Sequence, residues 1–218
     1  MDEQRSAYTK RMNHYDDLLT GRRWWSRLYM RGLWGIDDNE IAREVLDMLP
    51  NDFAGVLLDV PVGTAVFTYE KYLRMTDVAQ IVGLDYSEEM IEISKRRFGD
   101  ALPPFLRFVQ GDVGNLPFDD ESFDAVLSMN GFQAFPDKSR AIREIYRVLK
   151  PNGLFFGCLY VRGMRRIPDW IARHVLEKKG FFMPPNQTFS EYQVQFAHYY
   201  REVELRATSP IALFRCVK

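Results

Sequence analysis

The sequence predicts an α/β fold whose sheet is largely parallel and covered by helices on both faces. Two observations carry this expectation. Short apolar runs alternate with stretches of helical periodicity along most of the chain. Polar residues also close or follow successive runs, at Asp59, Asp85, Asp112 and Asn130. In open parallel sheets, ligands bind beyond the carboxyl ends of the strands, near the switch in strand order. One acid after a strand is ordinary turn chemistry; a series at successive strand ends reads as one site.

Each element follows from its own pattern. The chain opens on a polar, acid-containing stretch that leads into GRRWWSRLYMRGLWG, where Trp24, Trp25, Leu28, Tyr29 and Leu33 recur at helical spacing. IDDNEIAREVLDMLP reads as an amphipathic helix with Ile41, Val45, Leu46 and Leu49 on one side and Pro50 ending the run. GVLLDV (Gly55–Val60) is a buried strand, PVGTA a turn, and VFTYEKYLRM can be helical. IVGLD (Ile81–Asp85) is a second strand, followed by a helix with Ser87 placed as its N-cap. FLRFVQGD (Phe105–Asp112) and FDAVLSM (Phe123–Met129) are the third and fourth strands. DKSRAIREIYRVLK is a helix, with Ala141, Ile142, Ile145, Val148 and Leu149 at the 3.6-residue period, and Pro151-Asn152-Gly153 stops it. LFFGCLYV (Leu154–Val161) is the fifth strand. Beyond it the pattern weakens into a short helical stretch and a Pro-rich loop. TFSEYQVQFAHYY can then be a helix, and REVELRAT and IALFRCVK are two strands joined at Ser209-Pro210.

Bulk properties narrow the function classes. A chain of 218 residues that is 46% hydrophobic suffices for one α/β domain with additions. A formal net charge of −1 gives no global pull toward nucleic acid or anionic lipid. The two cysteines, Cys158 and Cys216, lie far apart in apolar runs and read as buried strand thiols, with no metal site expected. No apolar run approaches the roughly 18 residues of a membrane span, and the N-terminus is unlike a secretory signal. A cytoplasmic protein without a membrane or nucleic-acid partner is expected.

The chemistry is concentrated in three segments. GVLLDVPVGTAVFT places a tight turn between a buried strand and a helix, where small residues allow close backbone approach to a ligand. Asp85, at the end of the next strand, is placed to accept hydroxyl hydrogen bonds from a ribose; equally, it suits the N-terminus of the helix that Ser87 caps. In GDVGNLPF, Asp112 can accept from an exocyclic amine such as that of adenine, with the Val113 amide at a ring nitrogen; otherwise Asp112 is a turn acid.

Together these segments resemble the class I S-adenosylmethionine-dependent methyltransferases, in the subgroup of ubiquinone/menaquinone C-methyltransferase-like enzymes. The resemblance spans residues 40 to 160. LLDVPVGTA is similar to that family's first motif, VGLDYSEEMIEISKRR to its second, and QGDVGNLPFDDESFDAVLS to the segment holding the adenine edge. AIREIYRVLKPNGLFF is similar to the helix, turn and strand that follow. The resemblance implies a Rossmann-like, seven-stranded, mostly parallel sheet with the last strand antiparallel. It implies S-adenosyl-L-methionine as cofactor, held by Asp59, Pro61, Val62, Gly63 and Thr64 in the first motif and by Asp85, Tyr86 and Met90 in the second. Gly111, Asp112 and Val113 would follow from the third segment, and Met129, Asn130 and Gly131 from the end of the fourth strand. The sequence departs from the usual acid-x-Gly-x-Gly-x-Gly pattern: Pro61 stands at the first glycine and Ala65 at the third. Proline removes one N–H donor from the loop, while Ala65 is small enough to preserve close approach.

The implied reaction is methyl transfer to a small-molecule acceptor, in which the protein mainly aligns the reactants and excludes water. No general base stands out. His14, His174 and His198 read as surface or packing residues, and Asn130 is the better candidate for the cofactor pocket. Within one domain, residues 1–40 are expected as a helical cap, 41–161 as the cofactor-binding core, 162–187 as an insertion and 188–218 as a helix and strand pair. The Tyr15–Trp34 stretch and the Arg162–Gln187 insertion, with Trp24, Trp25, Trp170, Phe181 and Phe182, are expected to cover the site as a mobile lid and set acceptor specificity. RRWWSRLYMRGLW otherwise reads as an amphipathic helix packed on the domain, or as a nucleic-acid or lipid surface. Two alternatives to the enzyme stand beside it: a cofactor-binding protein without catalysis, and a nicotinamide-dependent oxidoreductase. Against the oxidoreductase count the absent G-x-G-x-x-G and the presence of GDVGNLPFDDESFD. Amino-methylating DNA enzymes would need a Pro-Pro-aromatic sequence where SMNGFQAF stands.

Overall fold

The computed structural model describes residues 38–207 and 209–218. Seven strands form one sheet in the order β3-β2-β1-β4-β5-β7-β6. They are β1 (Val56–Asp59), β2 (Gln80–Asp85), β3 (Leu106–Gln110), β4 (Phe123–Met129), β5 (Leu149–Tyr160), β6 (Glu202–Ala207) and β7 (Ile211–Val217). Strands β1 to β5 pair in parallel, and β7 lies antiparallel between β5 and β6. The short Ser209-Pro210 connection leaves β7 no room for a crossover, so it must reverse direction after β6. The chain reverses sheet order between β1 and β4, and that switch point sets the location of the site.

The helices are α1 (Asp38–Asp47), α2 (Tyr69–Arg74), α3 (Glu88–Phe98), α4 (Lys138–Val148), α5 (Arg166–Ile171) and α6 (Phe189–Tyr199), with a π-helical turn over Ala172–Leu176 after α5. Strand residues alternate between two apolar layers. Leu57, Ile81, Ala125, Leu127 and Phe156 face one layer, closed by Val45 and Leu46 of α1, Leu49 just after it, Tyr72 of α2 and Ile171 and Phe182 further along the chain. Leu58, Val82, Val126 and Phe155 face the other, closed by Ala141, Ile142 and Ile145 of α4 and Tyr192 and Phe196 of α6. Around Phe132, that second layer is aromatic: Tyr192, Phe196 and Phe214 each meet its ring edge-on, with centroids 5.9–6.1 Å apart.

Local chemistry sets the element ends. Ser87 caps α3 by accepting from the Met90 N–H, Asp137 caps α4 by accepting from Arg140, and Thr188 with Glu191 closes a capping box on α6. One boundary differs from the sequence expectation: α4 ends at Val148, and β5 begins at Leu149 rather than Leu154. Lys150 precedes Pro151 and is thereby disfavoured in helical conformation. The β4–β5 register shifts between Phe123 and Ala125 to absorb the Pro151-Asn152-Gly153 turn. Asp124 fastens this end of the sheet, accepting from the Val56 N–H (2.8 Å) and from Lys150 Nζ (2.9 Å).

Candidate cofactor and active site

The β1 turn closes on its neighbours through backbone and carboxylate bonds. Val60 N–H donates to Leu127 O (2.9 Å), Val62 N–H to Leu84 O (2.9 Å), and Gly63 N–H to Asp85 Oδ2 (2.9 Å). Pro61, joined to Val60 by a cis peptide, has no N–H. The first part of the loop therefore offers an anionic ligand no free backbone donor. Gly63 has φ +56°, and a Cβ there would meet nothing within 4 Å, so the turn presents an open face at this residue. Ala65 also sits at positive φ (+54°) and is buried. Alanine accepts that conformation at a cost of about 1–2 kcal/mol, at the position where the family usually carries its third glycine. Thr64 is buried and its carbonyl accepts from Arg97 Nε (2.7 Å), while Gly63 O accepts from Ser94 Oγ (2.7 Å). The loop is thus anchored to α3.

Beneath it lies Asp59, 1% exposed, accepting from the Tyr72 hydroxyl at 2.8 Å. Burial pushes its carboxyl up to about 7; the Tyr72 bond counteracts part of that rise, and nearby Asp85 adds to it. Tyr72 is fully buried, and its own hydroxyl is held well above the usual range by burial and by Asp59.

Asp85 stands at the N-terminus of α3, as one of the two readings of the sequence had it, and also reaches the β1 turn. One oxygen holds the Gly63 amide and the other the Ser87 amide (2.9 Å), so the side chain ties the β1 turn to the N-terminus of α3. An ionised carboxylate has about four acceptor positions, which leaves capacity for hydroxyl donors. Burial raises its carboxyl above the ordinary value, offset in part by the Ser87 and Gly63 amides. Tyr86 is 53% exposed beside it, and Met90 is buried one turn into α3.

At the β3 end, Gly111 N–H donates to Asp85 O (3.0 Å), which brings the third segment against the second. Asp112 is exposed, with Oδ1 accepting from Gly114 N–H (2.8 Å). The Val113 side chain is buried, and its amide makes no hydrogen bond among the described residues. A carboxylate and a free N–H side by side fit the edge of an adenine ring. The segment is held from behind by two residues that sequence reasoning missed. Glu144 Oε2 accepts from Leu116 N–H (3.0 Å), and Arg147 donates to Phe118 O, Leu116 O and Asp120. Their i,i+3 spacing on α4 was visible, but only the fold brings the loop within reach.

The β4 end completes the arrangement. Asn130 has φ +51°, its N–H donates to Cys158 O (3.0 Å), and its side chain accepts from the Cys158 thiol. Gly131 is buried with no room for a side chain: a Cβ would lie 2.3 Å from Pro61 Cδ. The proline that replaces the family's first glycine thus packs on the strand end across the switch point. Met129 is half-buried on the same rim.

The insertion is fastened to this rim. Met183 N–H donates to Gln133 O (2.7 Å), and the buried Lys138 Nζ donates to Met183 O (2.6 Å) and Phe135 O (3.2 Å). Phe182 packs on Tyr160 with ring centroids 5.1 Å apart. Burial lowers the Lys138 amine to about 8. His174 stacks on Trp170 and His198 meets Tyr199 edge-on; both histidines are exposed. His14 and the Tyr15–Trp34 stretch, with most of the expected 1–40 cap, lie outside the described residues. Both cysteines are buried and neither forms a disulfide among the described residues, and no cluster of metal-ligating side chains occurs among the described residues.

Residues 58–157 match a family described as a methyltransferase domain. The chain is 42% identical over 97 residues to a demethylmenaquinone methyltransferase of Staphylococcus epidermidis, covering 44% of this chain and 39% of that protein. It is 32% identical over 144 residues to a ubiquinone/menaquinone biosynthesis C-methyltransferase of Bartonella quintana, covering 64% of this chain and 55% of that protein. The chain therefore spans little more than half the length of these relatives at most. Among solved structures, a Haemonchus contortus phosphoethanolamine N-methyltransferase in complex with S-adenosylhomocysteine superimposes with a TM-score of 0.70. The identity is 15%, covering 81% of this chain and 52% of that one, so the likeness speaks for the fold. The match over residues 58–157 and the shared fold make this part of the chain similar to methyltransferase domains. Over those residues the similarity is to the demethylmenaquinone and ubiquinone/menaquinone methyltransferases named above.

Proposed function

We propose that the protein transfers the methyl group of S-adenosylmethionine to a small-molecule acceptor, and that the acceptor is a quinol-type ring. The single observation that carries the cofactor reading is the Asp85 bridge. It bonds the β1 turn and the start of α3 at once, while the adjacent Gly111 amide brings Asp112 and the free Val113 N–H alongside. In this reading the spare acceptor positions of Asp85 take the ribose hydroxyls. Asp112 accepts from the adenine amine, the Val113 amide donates to a ring nitrogen, and Tyr86 and Met90 flank the ring. The open face over Gly63 admits the amino-acid end, with Asp59, Pro61, Val62 and Thr64 forming its floor. Met129, Asn130 and Gly131 border the reacting end. The cofactor carries a methyl group already activated on a sulfonium, so the protein's contribution is alignment and exclusion of water. The acceptor class rests on the names of the two relatives above.

Two measurements test this. Calorimetry should show S-adenosylhomocysteine binding and no NAD binding. Asp85→Ala should weaken that binding roughly tenfold or more, because hydrogen bonds to a charged acceptor contribute about 1.5–3 kcal/mol. Turnover is then read as S-adenosylhomocysteine formed with a demethylmenaquinol as acceptor. One observation favours a second reading, binding without turnover: Pro61 and the engaged Val62 and Gly63 amides leave the first part of the loop without free donors. Binding with no product across quinol and phenol acceptors would select that reading.

A further inference from the structure

The insertion turns an unusual face outward just past the C-terminal end of β5. Pro168, Ile171 and Ala172 are buried against the core, and the opposite side carries Ile167 and Trp170, each 58% exposed, with Met164 at 39% close by. Ile167 and Trp170 are three residues apart on α5 and share one side. His174 extends that side by stacking on the Trp170 indole at 5.0 Å, with its Nδ1 3.0 Å from Trp170 O. The indole thus lies on the surface against the His174 ring.

The charge around this face is one-sided. Residues 162–179 hold six cations and two acids, in a chain whose formal net charge is −1. Both acids are engaged internally: Asp169 accepts from the Tyr160 hydroxyl (2.6 Å) and the Gly163 amide, and Glu177 from Asn186 Nδ2 (2.8 Å). Arg165, Arg166, Arg173, Lys178 and Lys179 are exposed and form no salt bridge among the described residues. Surface cations are ordinarily interspersed with acids. Here a tryptophan and an isoleucine stand proud within a basic field that no salt bridge among the described residues compensates. That combination suits an anionic bilayer surface, where the indole and aliphatic groups enter the headgroup region and the arginines meet lipid phosphates.

We propose that this face, centred on Ile167 and Trp170 and framed by Arg166 and Arg173, docks the protein onto anionic phospholipid bilayers. The inference departs from the sequence expectation of no membrane partner, which rested on the absence of a spanning segment and on the near-neutral total charge. It is independent of the acceptor's identity. It also places the β5 strand end, and with it the rim of the candidate site, next to the lipid surface.

The test is co-sedimentation of the full chain with vesicles of phosphatidylglycerol and of phosphatidylcholine, at low and high salt. Binding should require phosphatidylglycerol and fall with salt. Each exposed cation near an anionic surface changes partitioning about fivefold, so Arg166→Gln/Arg173→Gln should lower it about thirtyfold at low salt. Ile167→Ser/Trp170→Ser should lower it roughly tenfold or more through lost apolar insertion. Both variants should keep the wild-type melting temperature and S-adenosylhomocysteine affinity, which separates failure of this proposal from failure of the methyltransferase reading. Wild-type protein that ignores phosphatidylglycerol vesicles overturns the proposal and leaves the face to a protein partner. Binding that survives both double substitutions also overturns it, by moving lipid contact elsewhere on the chain.

Discussion

Replacing Asp59 with asparagine tests the electrostatics beneath the β1 turn. The carboxyl is 1% exposed, and burial raises it from 3.8 to about 7. An acid whose pKa is raised on folding holds its proton more tightly in the native state. Its contribution to stability is complete below about pH 4 and is lost as pH rises through about 7. Between those limits the unfolded chain is deprotonated at this position and the folded one is not. Unfolding free energy therefore falls by about 1.4 kcal/mol per pH unit, about 4 kcal/mol in all, and then levels off. The asparagine side chain in the Asp59→Asn variant cannot titrate and keeps an oxygen to accept the Tyr72 hydroxyl. Urea denaturation of both proteins from about pH 5 to about pH 8 isolates the effect, because the other titrating groups are common to the two. The wild type should lose about 2 kcal/mol relative to Asp59→Asn between about pH 5 and about pH 7. Parallel stability profiles would refute the argument, showing that Asp59 ionises in the folded protein as freely as in water.

Other perturbations follow from the same geometry. Gly131→Ala should cost about 1–3 kcal/mol by forcing a methyl group against Pro61. Adding Pro61→Gly should recover part of that loss in thermal melts. Arg147→Met should destabilise by about 2 kcal/mol, since it removes charge-assisted bonds to Glu144, Asp120 and two carbonyls; calorimetry should also show weaker S-adenosylhomocysteine binding as the Asp112–Val113 segment loses its backing. Lys138→Met should free Met183 from the post-β4 turn, read as faster limited proteolysis near residues 181–187 with the core still protected. Unchanged cleavage would assign the anchoring to Phe182 instead.

Much of the architecture was legible because each element declares itself over a short span. Buried parallel strands such as Leu57–Leu58 and Ile81–Val82 read as unbroken apolar runs, and the α4 stripe of Ala141, Ile142, Ile145 and Val148 repeats at helical spacing. The start of β5 was misplaced because periodicity carries on through Leu149, while the conformational restriction before Pro151 ends the helix first. The same locality made the strand-end residues Asp59, Asp85, Asp112 and Asn130 visible as a set.

What sequence order alone could not supply was contact between distant positions. It presented Asp85 as either a ribose acceptor or a helix-terminal acid, whereas its two carboxylate oxygens hold amides from two different segments. It registered Pro61 as a lost donor; its packing against Gly131 depends on β1 and β4 being neighbours in the sheet. Tyr72, Glu144, Arg147 and Lys138 act across 13 to 45 residues of chain, beyond the reach of any local pattern. Composition likewise averaged the basic face of the insertion into a near-neutral total. Hydrophobic periodicity is a property of neighbouring residues, and it determined the layers. Hydrogen bonding, burial and surface charge are properties of position in space, and the tertiary structure decided them.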